Sequence, residues 1–372
     1  MKKQEWNSIL KMKNRGFWVL AILLLLPGST FSPIYTGKDL ARLPCESPAS
    51  RFFYPVEFDA DGNILYEDQL HAAKVATITR RDIIIFVHGW DKTAGSAERD
   101  YQEFLCRLYW RGVEEQYLAE DQAIVIGVFW PSTILRNHED FPLIKPFSYY
   151  IIRARADTFA VEGIQKRLLP AILDTAERDH EMRLHIIGHS FGARRLIRAV
   201  SDYFRTSIIE DLPHYVSSVN VVLLLPAIEP GIENSQASQF ILEIKQMLGE
   251  IERVRRMKPE HLRIFNVYSE RDWANRFLFP ISEALNFKTP YCSIGACGEP
   301  SAPVLTVDEA GTINEWTANI GRIWNVKADS IISSHSDIYK GRITGLIWKL
   351  IATKELAPSE LAIPRSLTKN RI

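Results

Sequence analysis

The chain has 372 residues, 46% hydrophobic and 24% charged, a composition that supports a large apolar core and excludes wholesale disorder. Lys+Arg and Asp+Glu balance at 45 each, so the net charge is zero and the basic excess of a nucleic-acid binder is missing. No repeat and no low-complexity segment divides the sequence.

Residues 1–30 stand apart. Lys2, Lys3, Lys11, Lys13 and Arg15 precede an apolar run from Phe17 to Leu26, followed by Pro27-Gly28-Ser29-Thr30. A positive segment, a short apolar core and small residues describe a secretory signal. The run is shorter than the roughly 20 residues of a spanning helix. Pro33 opposes cleavage after Ser32, so the segment reads as a signal peptide or an uncleaved N-terminal membrane anchor. Either way the protein is expected outside the cytoplasm: periplasmic, secreted, or held at the membrane. Its four cysteines fit an oxidising compartment, with a small-loop disulfide expected between Cys292 and Cys297. Cys45 lies far from the apolar run, and Cys106, inside the helical pattern Tyr101–Trp110, reads as a buried thiol. No Cys/His spacing resembles a zinc site.

In chain order, residues 31–80 form an extension. Phe52–Phe58 and Ile64–Tyr66 are predicted strands joined by the turn Asp59-Ala60-Asp61-Gly62-Asn63. Asp82–His88 is a continuous β-branched run of the kind buried on both faces of a parallel sheet. A helix at 96–118, a strand at Ala123–Trp130, and a helix at 154–178 that Pro170 kinks or breaks come next. The strand Arg183–Ile187, a helix at 191–205 and the strand Val219–Leu225 continue the alternation. An amphipathic helix at 237–258, the strand Leu262–Tyr268, a long irregular stretch, the strand Arg322–Val326 and a helix at 337–353 close the domain. Such alternation predicts an α/β domain over 81–355 with a mostly parallel, doubly wound sheet, and a tail at 356–372. Ligands of such sheets sit beyond the carboxyl ends of the strands.

Gly188-His189-Ser190-Phe191-Gly192 is a Gly-x-Ser-x-Gly pattern between an apolar strand and a helix. A serine on that strained turn projects its hydroxyl at the sheet's carboxyl edge, and the glycines make room for close packing. Ser190 is the expected nucleophile. An oxyanion at the attacked carbonyl needs fixed N–H donors. Phe191 supplies one, and Trp90, in His88-Gly89-Trp90 at the end of a buried strand, supplies the other. His88 is expected to brace that loop.

Of the nine histidines, only His214, His261 and His335 follow Ser190. The first two precede strands and belong to the opposite edge; His335 follows the last strand and is the expected base. Asp272, just past the strand Leu262–Tyr268, is the favoured acid, with Glu229 its rival and Glu270 a weaker third. Asp337 reads as helix-start charge.

His88-Gly89-Trp90, Phe129-Trp130-Pro131-Ser132, Gly188–Gly192 and Tyr268–Asp272 occur in the order found in α/β-hydrolase-fold proteins. Over about residues 80–350 the chain resembles that superfamily, and its spacing looks like a lipase-like bacterial group of largely uncharacterised hydrolases. The resemblance implies a Ser190-Asp272-His335 triad that cleaves an ester-like bond without metal or cofactor. It departs from a plain core in its leader and at 274–320, which is expected to form a lid or cap. Phe277, Leu278, Phe279 and Phe287 are candidates to line an acyl pocket. The partner is then a small-molecule or lipid ester. A thioesterase or peptidase would use the same triad, and an envelope binding protein could keep the fold without the chemistry.

Overall fold

The computed structural model describes residues 52–352 apart from 91, 93, 120–121, 134–151, 154, 174–179, 211–214, 231–261, 286–290 and 314–322. The leader, Cys45, the helix expected at 237–258, Phe287 and the tail at 356–372 lie outside the described residues.

The strands are β1 (Phe53–Glu57), β2 (Asp82–Val87), β3 (Ala123–Phe129), β4 (Met182–His189), β5 (Val216–Leu224), β6 (Leu262–Tyr268), β7 (Val304–Thr306) and β8 (Ile323–Lys327). They form one 8-stranded sheet in the order β1-β3-β2-β4-β5-β6-β8-β7, and every pairing is parallel. Side chains alternate across it. Ile83, Ile85 and Val87 of β2 enter one apolar cluster with Phe159 and Leu196, whereas Ile84 and Phe86 enter another with Phe104 and Leu346. Both faces are therefore dry, which is why β2 reads as an unbroken apolar run.

The first face is covered by α1 (Glu67–Ile78), by a π-helical segment Phe159–Leu168 that runs on as α3 (Leu169–Leu173), and by α4 (Phe191–Glu210). The other is covered by α2 (Ala94–Glu114) and α7 (Gly341–Ala352). Between β6 and β7 lie a π-helical turn (Ala274–Leu278) continuing as α5 (Phe279–Leu285), and the short α6 (Ile294–Cys297). Among the described residues no helix is long and apolar enough to cross a membrane.

Several expectations change. The turn at 59–63 forms, with Asp59 Oδ1 accepting from the Asp61 and Asn63 N–H groups, but Ile64 makes only an isolated antiparallel bridge to Phe58. The strand expected at Ile64–Tyr66 is absent because Tyr66 already leads into α1, whose first turn carries Glu67 and Asp68 at its positive end. Residues 53–78, read as an extension, supply an edge strand and a helix of the main sheet. Pro170 causes no break: the wider π-helical winding ends at Leu168, just ahead of it, and the helix continues. Of the expected lid, the described part includes β7, which pairs with β8 at the sheet edge. Cys292 and Cys297 are disulfide-bonded, Cα to Cα 6.2 Å, around α6. Cys106 is also disulfide-bonded, which overturns its reading as a buried thiol. Cys106 is half-buried on α2, and helical periodicity carries no information on whether its sulfur is paired.

Candidate active site

The strand order reverses at β2, which has β3 on one side and β4 on the other. A crevice opens at such a switch point beyond the carboxyl ends of the strands. The turns after β2 and β4 meet there.

Ser190 follows β4 directly and holds φ at +54°, a left-handed conformation that costs a non-glycine residue free energy. Its surroundings impose that geometry. The Ser190 N–H donates to Leu224 O at 3.0 Å, and Ser190 O accepts from the Ala227 and Arg194 N–H groups, each at 3.2 Å. Glycine is required at two neighbours. A Cβ on Gly192 would lie 2.3 Å from Val87 O, and one on Gly89 would lie 2.9 Å from Ser190 Cβ. The serine turn thus packs hard against the end of β2.

Asp272 and His335 arrive from the ends of β6 and β8. Asp272 is fully buried, and its Oδ2 accepts from His335 Nδ1 at 2.8 Å. Asn275 orients the carboxylate, its Nδ2 donating to Oδ2 at 2.8 Å and its N–H to Oδ1 at 3.2 Å. The loop that carries His335 is tied from behind. Asp337 accepts from the N–H and hydroxyl groups of both Ser333 and Ser334, and Ser269 Oγ after β6 donates to Ile332 O at 2.9 Å. Asp337, expected as helix-start charge, opens a 3₁₀ turn ahead of α7 and reaches back to this loop. Ser190 Oγ makes no hydrogen bond among the described residues. Among the described residues, the hydrogen bond that joins the serine turn to the His335 loop is that of His189, whose Nε2 donates to His335 O at 3.1 Å.

The rival acids go elsewhere. Glu229, buried, is paired with Arg153 and Arg194, and Arg153 pairs also with Glu283. Burial alone would raise the Glu229 pKa, but the two guanidinium groups outweigh it and hold the carboxyl at about 2. Glu270, half-exposed, pairs with Lys327. Glu229→Gln is therefore expected to act on stability, lowering the unfolding free energy by about 3 kcal/mol near neutral pH. That is the low end for a buried pair, because Arg153 keeps Glu283. Glu229 has a folded pKa below its unfolded one, so its contribution is full above the ordinary carboxylate range and fades as pH falls toward about 2. Denaturant titrations of both proteins at pH 7 and pH 3 should show the gap narrowing in acid.

The loop after β2 is braced as expected. His88 Nδ1 donates to Gly89 O at 2.9 Å, and Trp130 Nε1 donates to His88 O at 3.0 Å. The two rings stack, with centroids 5.6 Å apart. Burial pushes the His88 pKa down to about 3, so the ring stays neutral and serves structure. Ser132 Oγ bonds the Lys92 N–H and carbonyl at 3.1 Å each, fixing the loop's far end. Trp90 and Phe191, the two expected amide donors, lie on the facing turns with ring centroids 6.5 Å apart.

No protein-family model, no curated protein and no solved structure matches the chain.

Sequence reasoning missed Asn275, His189 and the bracing role of Asp337. Asn275 sits one helical turn after Asp272, a spacing that could have flagged it. His189 bonds to a loop 146 residues on, where spacing in sequence carries no information, whereas Asp337 bonds Ser333 and Ser334 three and four residues back, a local spacing that could also have flagged it. No group of His, Cys, Asp and Glu among the described residues could hold a metal ion.

Proposed function

We propose that this protein is a serine hydrolase that cleaves a carboxylic ester through an acyl-enzyme on Ser190. The observation that carries the reading is a strained serine at φ +54° on a strand-to-helix turn at the switch point, whose neighbour His189 bonds to the loop of a carboxylate-oriented histidine. The strand order and the glycine-tight turn support an α/β-hydrolase fold. In the proposed reaction His335 Nε2 takes the proton from Ser190 Oγ as the oxygen attacks the carbonyl. That hydrogen bond closes when substrate is seated, as catalytic contacts commonly do. Asp272 keeps the imidazole in the tautomer that leaves Nε2 free to accept, and stabilises the imidazolium. The Trp90 and Phe191 N–H groups receive the oxyanion. His335 returns the proton to the leaving alkoxide, and water, activated by the same imidazole, releases the acid.

The disulfides at Cys292–Cys297 and at Cys106 support export to an oxidising compartment. Exposed Trp273 and Phe277, directly after Asp272, suit an ester with an apolar acyl chain. The direct test is labelling with a fluorophosphonate, which phosphonylates only an activated serine. One adduct per chain, mapped by mass spectrometry to the peptide containing Ser190, is the expected result. A folded protein that takes up no label, or takes it elsewhere, overturns the reading.

A further inference from the structure

Ser190 and His335 stand on loops from different strands, and the proton transfer proposed between them tolerates little error in their separation. A displacement of about 1 Å can cost on the order of 10²-fold in rate. The Asp272 contact fixes the rotation of the His335 ring, and Asp337 fixes the backbone behind it. Neither refers the ring to the serine. The residue that does so is the one just before the nucleophile.

His189 ends β4 and is buried at 4% exposure. Its Nε2 donates to His335 O at 3.1 Å. Its ring faces that of His335 with centroids 4.8 Å apart, and meets the Tyr339 ring edge-on at 6.1 Å. Nδ1 is buried with no hydrogen-bond partner among the described residues, 3.0 Å from where a Gly89 Cβ would stand. A lone pair left unpaired in the interior is destabilising. An apolar ring would fill this space without that cost, so packing alone does not account for a histidine here. Among the described residues its one hydrogen bond is to the carbonyl of His335. Burial also keeps the ring neutral, so it can donate without setting a positive charge beside the imidazolium that forms on His335.

We propose that His189 is a positioning residue: its Nε2–H···O=C bond to His335 sets the distance between the nucleophile turn and the base. The role rests on the serine-hydrolase reading above. Three variants separate the bond from the bulk. His189→Phe keeps a ring against His335 and Tyr339 but has no donor. His189→Met is a flexible, donor-free filler that carries the comparison should Phe not fold. His189→Gln restores an amide N–H near the Nε2 position. On a soluble ester, the donor-free variants should lose about 10- to 100-fold in kcat with KM within about 2-fold, and Gln should recover to within about 3-fold of wild type. Wild-type kcat in Phe or Met, or a loss in Gln equal to theirs, overturns the proposal. A second readout needs no turnover: the downfield NMR signal of the His335 Nδ1 proton, assigned by its loss in His335→Gln. It should persist in Gln and broaden or shift in Phe and Met; an unchanged signal in all three overturns the positioning role. Should the wild type show no Ser190-dependent turnover, the hydrolase reading fails and this signal alone decides whether His189 holds the loop.

Discussion

Ser190→Ala is expected to lower ester turnover by on the order of 10⁶-fold while leaving the fold intact, the scale seen when a nucleophilic serine is removed. Nothing structural hangs on the hydroxyl. Ser190 Oγ makes no hydrogen bond among the described residues, whereas the backbone bonds to Leu224, Ala227 and Arg194 survive the substitution. The strain at φ +54° is the same for alanine as for serine, so the melting temperature should move little. Initial rates on a short-chain ester, beside a thermal melt, check both halves. A variant that keeps wild-type turnover places the nucleophile elsewhere.

Asp272→Asn is the second large effect, a loss of about 10⁴-fold in kcat with the protein still folded. The carboxylate accepts from His335 Nδ1 and from Asn275 Nδ2. Both bonds fall on Oδ2, while Oδ1 accepts from the Asn275 N–H, so an asparagine whose oxygen keeps the Asn275 N–H turns its NH2 toward His335 Nδ1. The imidazole relieves the conflict by moving its proton to Nε2, which then cannot accept from Ser190. Glu229→Gln supplies the contrast. Its carboxylate faces Arg153 and Arg194, so kcat should stay within a few-fold while stability falls. A near-normal rate in Asp272→Asn together with a collapsed rate in Glu229→Gln would reverse the assignment of the acid. Steady-state kinetics on the two purified variants decide it.

Much of this architecture is legible in the sequence, for definite reasons. β2, β3, β4 and β6 are covered on both faces, so each appears as an apolar run, and the predicted ranges fall within a residue or two of those observed. Ser190, Asp272 and His335 are expected together by one rule, that the sites of parallel sheets lie beyond the carboxyl ends of the strands, and they do follow the ends of β4, β6 and β8. The elements that escaped carry weak periodic signals. Only Ala73 and Thr77 of α1 are buried, too few to mark an amphipathic face, and β7 has three residues, too short to show alternation.

The sequence alone therefore determined the alternation of the main strands and helices, the serine turn between β4 and α4 and the identity of the residues beyond the strand ends. Those properties are local, set by hydrophobic period, glycine and chain direction. Tertiary structure alone decided which carboxylate meets His335, that Glu229 belongs to two arginines, that Cys106 is in a disulfide, and that His189 spans to the base loop. Each is a contact between segments far apart in the chain, made when the sheet brings their ends together. The energy of such a contact depends on distance, burial and the competing charges nearby, none of which a residue carries in its position along the sequence.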